Sequence, residues 1–158
     1  AELEQLIFAG FTHEPAARLA AELVAVAPAG LSRVFYSDDG STAVEVAMKM
    51  AVQQWRQRGG ERRRIFVALD HAYHGDTFGA MAAGGDAVSH GAFAGLLCEV
   101  LRAPVPACEA QVGGAVAALE QLLDRAGDEV AAVIVVPMPA SAGSAAASAS
   151  RIASTFPK

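Results

Sequence analysis

Val34-Phe35-Tyr36-Ser37-Asp38-Asp39-Gly40-Ser41-Thr42-Ala43-Val44-Glu45 passes from a short apolar run, through a polar Gly-Ser turn, into a helical pattern. Read locally, a strand hands the chain to a helix. Such a turn leaves the first backbone N–H groups of the helix without intrahelical partners and gathers them at one point. The helix dipole adds partial positive charge there, so the turn is a seat for a phosphate. Residues 33–36 are thus expected to form the first strand. Thr42 and Glu45 have the spacing of a capping box, and their helix should run to about Arg58 before Gly59-Gly60 stops it. Val44, Met48, Ala51 and Trp55 fall on one face of that helix, which assigns them to the core.

On the N-terminal side, residues 12–27 pattern as an amphipathic helix. Pro15 suits its first turn, Leu19, Leu23 and Val26 recur at helical spacing, and Pro28 ends it. On the C-terminal side, residues 64–69 read as a second strand and 96–100 as a third. Residues 115–126 read as an alanine-rich helix that Gly127 stops. Residues 130–136 are continuously apolar, as in a parallel strand covered on both faces. Strands alternating with helices make the chain α/β, with a mostly parallel sheet flanked by helices. From Ala140 to Ser150 the sequence is nearly pure Ala, Ser and Gly, a low-complexity pattern.

Composition narrows the function. The 158 residues are 53% hydrophobic, which excludes a disordered chain. A net charge of −5 argues against nucleic acid as the partner. The concentration of Arg56, Arg58, Arg62, Arg63 and Arg64 falls at a helix C-terminus, where cations offset the dipole. No apolar run approaches the ~20 residues that cross a bilayer, so no membrane partner is expected. Ala1-Glu2-Leu3-Glu4 has no positive n-region. Cys98 and Cys108 form no metal-ligand pattern and read as reduced thiols, which together points to the cytoplasm.

Two turns could carry chemistry. Gly40 admits close approach of a ligand to the backbone, and Ser41 can offer both N–H and hydroxyl to a phosphate oxygen; the alternative is an ordinary turn with a helix cap. Neither a P-loop nor a GxGxxG pattern is present, since Gly84-Gly85 lacks the partners that pattern requires. ATP and NAD are therefore disfavoured. The second turn, Ala72-Tyr73-His74-Gly75-Asp76-Thr77-Phe78, follows a strand, at the sheet end where α/β ligands bind. Tyr73 could stack on a planar ring or be a partly buried aromatic. His74 could be a general base or an exposed turn histidine. Asp76 could orient a substrate or cap the helix through Phe78 and Met81.

The run from Asp38 through Glu45 to Ala51 resembles the class III, pyridoxal-phosphate-dependent aminotransferases. Thr12-His13-Glu14-Pro15-Ala16, Gln54-Trp55 and Tyr73-His74-Gly75-Asp76-Thr77-Phe78-Gly79-Ala80-Met81 resemble, within that family, its biotin-synthesis branch. The resemblance covers roughly residues 7 to 136. It implies part of the large domain of a fold type I transferase over 1–136, followed by a divergent Ala/Ser-rich tail over 137–158. It implies pyridoxal 5'-phosphate as cofactor, with Gly40 and Ser41 on its phosphate and Tyr73 stacked on its ring. Glu45 would stand behind the cofactor, and His74 and Asp76 on or near the substrate side. Thr12 and His13 would lie near a homodimer interface. The implied substrates are small molecules: an amino group would pass from S-adenosylmethionine to 8-amino-7-oxononanoate.

The family also needs a lysine to hold the cofactor aldehyde and move a proton, and an acid against the pyridine nitrogen. Only Lys49, in mid-helix, and Lys158, at the last position, are present, and neither suits that role. The family's Glu-Pro after the last strand is here Val136-Pro137. The resemblance therefore implies a chain that carries no catalytic lysine and does not complete the transfer by itself. Two other readings stand beside it: an aminotransferase using another ω-amine, and an inert remnant made by truncation or frameshift.

Overall fold

The computed structural model describes residues 6–85 and 90–136, and the chain divides into two compact units, residues 1–36 and 37–158. The Ala/Ser-rich tail lies outside the described residues. In the first unit, α1 (Glu14–Val26) has a proline in its first turn and Ala27 at its C-cap. The expected strand at residues 33–36 does not form; the segment is neither helix nor strand and pairs with no strand among the described residues. Its aromatic groups are used otherwise. Tyr36 stacks on Phe8 at 5.6 Å and donates its hydroxyl to the Ala16 carbonyl at 2.6 Å, while Phe35 stays exposed. A short apolar run is not enough to make a strand when no neighbouring edge takes up its backbone groups.

The second unit holds α2 (Gly40–Gln57), β1 (Ile65–Leu69), α3 (Phe78–Gly84), β2 (Val100–Ala103), α4 (Val112–Ala126) and β3 (Val130–Ile134). The three strands are parallel in the order β2-β1-β3. Every residue of the central strand β1 is buried. Val67 and Leu69 pack with Leu119 of α4 on one face, and Phe66 packs with Met48 of α2 on the other. The sheet is thus covered on both sides by helices. Burying a side chain such as Phe66 contributes about 1.5–3 kcal/mol.

Register supports the reading of Trp55 as core. Ile65 pairs with Val130 and Phe66 with Ala132, so Ala131 is bulged out of the ladder. Its carbonyl instead accepts the Trp55 indole N–H at 2.7 Å, and the Arg63 guanidinium lies 4.2 Å from the centre of that ring system.

Two other expectations shift. The third strand is Val100–Ala103, not residues 96–100; Gly91–Leu96 is a 3-10 turn with Leu96 exposed. Helix α2 is capped three residues earlier than Thr42. Asp39 accepts the Thr42 N–H at 2.8 Å, and the Thr42 hydroxyl lies 3.1 Å from the Asp39 N–H it accepts. That box outcompetes the Thr42/Glu45 pair because it satisfies the true first turn. It also frees Glu45 for a different partner.

Candidate functional site

The loop leaving β1 passes the C-terminal edge of the sheet, where the Asp70 N–H bonds the Ala103 carbonyl at 2.9 Å. It then folds over the first turn of α2. Asp39, Gly40, Ser41 and Val44 face Tyr73, His74, Gly75, Asp76 and Thr77 around one open cleft of about 760 Å³. The two turns that stood out in the sequence therefore line a single cleft.

Ser41 and Thr77 join them. The Thr77 N–H donates to Ser41 Oγ at 2.9 Å, and the two hydroxyl oxygens are 2.8 Å apart. The Thr77 hydroxyl can also donate to the Ser41 carbonyl, at 3.4 Å. A serine hydroxyl has one proton and two lone pairs. When the Thr77 hydroxyl donates to Ser41 Oγ, the Ser41 proton is left for an acceptor in the cleft; when it donates to the Ser41 carbonyl, Ser41 can donate to Thr77 Oγ1. Gly40 adds room, since a Cβ built on it meets no heavy atom within 4 Å. Glycine at this position is not demanded by packing. The Asp39 carboxylate is held below its usual range by the Thr42 N–H, so it stays ionised beside the helix end.

Tyr73 is 62% exposed, not the partly buried aromatic of the alternative reading. Its hydroxyl donates to Asp76 Oδ2 at 2.8 Å, and that bond raises the phenol pKa. Asp76 does not cap the following helix. Thr77 stands at the N-cap of α3, and the Glu45 carboxylate takes the Gly79 and Ala80 N–H groups at 2.5 and 3.4 Å. Glu45 thus lies one step behind the site and does not line its cleft. Lys49 belongs to a separate cleft of about 540 Å³, with Met48, Val52 and Cys98.

His74 is half-buried, and its Nε2 has no hydrogen-bond partner. Burial lowers its pKa, and the charge of Arg102 adds to the shift. The unfolded chain therefore takes up a proton at higher pH than the folded chain does. Stability should be fully present above the ordinary histidine value of about 6.5 and fall as pH drops through it toward the lower folded value. His74→Gln should flatten that part of the stability–pH curve, measured by denaturant melts between pH 5 and 8. An unaltered slope would assign the dependence elsewhere.

Sequence reasoning missed Thr77, whose partner is set only by the folded loop, and Arg102, which sits inside a strand. Arg102 donates to the carbonyls of Ala82 and Ala83 at the end of α3. Helix α3 is thus held by an anion at its N-terminus and a cation at its C-terminus, as its dipole favours.

Residues 1–155 match the family described as Aminotransferase class-III. The chain belongs to the class III aminotransferases. A relative from Synechococcus elongatus, an adenosylmethionine-8-amino-7-oxononanoate aminotransferase, is 52% identical over 150 residues, 90% of this chain and 35% of the relative. The crystal structure of the enzyme so named from Methanocaldococcus jannaschii superposes with a TM-score of 0.73 at 37% identity, over 81% of this chain and 28% of that one. A PLP-bound amine transaminase from an uncultivated Pseudomonas species matches with a TM-score of 0.73 at 30% identity, over 83% of this chain and 32% of that one. This class III chain spans about a third of the length of the relatives it matches. Its parallel sheet flanked by helices is the corresponding part of the transaminase fold. Among its described residues, no helix is long and apolar enough to cross a membrane.

Proposed function

We propose that this chain supplies the phosphate seat and ring platform of a pyridoxal-phosphate-dependent aminotransferase. Its reaction would move an amino group from S-adenosylmethionine to 8-amino-7-oxononanoate, giving 7,8-diaminononanoate in biotin synthesis. The observation that carries this reading is the single cleft in which the first turn of α2 meets the loop from Tyr73 to Thr77. The 52% identity to the Synechococcus relative favours this substrate pair over other amine donors.

Gly40 and Ser41 would hold the phosphate: the helix end supplies N–H donors and partial positive charge, and Ser41 supplies a hydroxyl. Tyr73, exposed in the same cleft, would lie against the pyridine ring. Asp76 and His74 would face the substrate side, and Glu45 would fix α3 behind it. When bound, pyridoxal phosphate supplies the electron sink for amino-group transfer. Among the described residues the lysine, Lys49, lies on the separate cleft, so these residues would bind and orient without supplying the proton-moving amine. The reading also carries residues 1–136 as part of the large domain, a homodimeric assembly and a cytoplasmic location.

With no lysine among the described residues that line the cleft, binding should be weak, on the order of millimolar, or about −4 kcal/mol. Titrating the 15N-labelled chain with pyridoxal phosphate should shift the Gly40 and Ser41 amides and the Tyr73 ring. Pyridoxal, lacking the phosphate, should leave those amides unmoved, and Ser41→Ala should weaken the response severalfold. Shifts confined to other residues would overturn the assignment.

A further inference from the structure

We propose that His90 is a positioning residue for Tyr73, acting through Asp76. The proposal deepens the cofactor reading, on which it rests for why the ring should be held. His90 is the buried polar side chain of the described residues, 6% exposed, and sits near Gly84 at the end of α3. Its Nε2 lies 3.3 Å from Asp76 Oδ1, and the other oxygen of the same carboxylate accepts the Tyr73 hydroxyl at 2.8 Å. The chain of contacts runs from the protein interior to the cleft: a buried imidazole, a carboxylate 73% exposed, and a ring 62% exposed.

The exposed pair does not hold itself. Water competes for both partners of a surface hydrogen bond, and a free aspartate side chain rotates among several rotamers. A donor fixed in the interior removes that freedom for Asp76, and Asp76 then removes it for the phenol. Platform orientation is set before any ligand arrives, which lowers the ordering cost of stacking on it.

The same geometry sets the tautomer. His90 Nδ1 is buried with no partner. With the proton on Nε2, the imidazole donates to Asp76 and only an acceptor is left unpaired. With the proton on Nδ1, a donor would be stranded and the Nε2 lone pair would face the carboxylate oxygen. The bond to Asp76 therefore requires the Nε2–H form.

The test uses the full chain without pyridoxal phosphate, so that its outcome is independent of whether the cofactor reading holds. The Tyr73 phenol is followed by 13C NMR through its titration and assigned by its loss in Tyr73→Phe. Asp76→Asn should lower the titration point toward the ordinary tyrosine value. His90→Phe, which keeps the ring volume and removes the donor, should produce at least half that shift. His90→Gln, which restores an N–H at a similar reach, should return most of it. A folded His90→Phe protein whose Tyr73 titrates as before would overturn the proposal. The imidazole 15N spectrum decides independently of whether His90→Phe folds. An Nε2–H tautomer whose signal moves in Asp76→Asn supports the link, and an Nδ1–H tautomer, or a signal indifferent to Asp76, sinks it.

Discussion

Replacing Gly75 by alanine is expected to destabilise the chain by about 2–4 kcal/mol. Gly75 has φ 114°, in the region that L side chains rarely adopt, and a Cβ there would stand 2.6 Å from both Cβ and Oγ of Ser41. The neighbour is the short side chain of a helical residue and cannot swing aside. Relief therefore requires the loop to lift from α2, which breaks the Thr77–Ser41 bonds and separates the halves of the cleft. Denaturant unfolding should show the lowered midpoint, and the response of Gly40 and Ser41 to pyridoxal phosphate should vanish. Gly40→Ala is the contrast: with open space around it, it should leave stability within about 1 kcal/mol, since alanine suits a helix better than glycine. Its effect should fall on phosphate binding alone. Equal midpoints for the two variants would show that the loop gives way freely.

The elements legible in the sequence are those whose burial and period agree. The fully buried β1 and the apolar stripe of α2 came through because each pattern matches the face it covers. Residues 33–36 failed for lack of a partner edge, which no local pattern contains. The third strand was displaced because Leu96 and Leu97 look more strand-like than a segment containing Arg102. That arginine belongs in β2 for a reason visible only in three dimensions: its head group ends α3, on the neighbouring layer. The site divides the same way. Gly40, Ser41 and Tyr73 each stand in a turn that composition marks out, and the fold brings them to one cleft. The Ser41–Thr77 joint, the Glu45 cap and the His90–Asp76 contact link residues far apart in the chain, so their spacing carries no signal.

Arg102→Leu should have the second large effect, a loss of about 2–4 kcal/mol. Helix α3 has only seven residues, too few to persist through its own backbone bonds. Its Ala82 and Ala83 are buried, and their carbonyls take the Arg102 guanidinium, whose pKa burial lowers against the opposing charge of Asp70. Leucine would keep part of the apolar contact and leave those carbonyls without a donor. Arg102→Lys should recover only part of the loss, because one ammonium does not reproduce a planar fork that reaches both oxygens. Glu45→Gln should cost less, about 1 kcal/mol, since an amide oxygen can still accept the Gly79 N–H. The local consequence separates this account from a general weakening of the core: hydrogen exchange should quicken across residues 78–84 before the β1 amides respond. If exchange in α3 keeps its original rate in Arg102→Leu while the midpoint falls, the arginine stabilises the sheet and not the helix that frames the cleft.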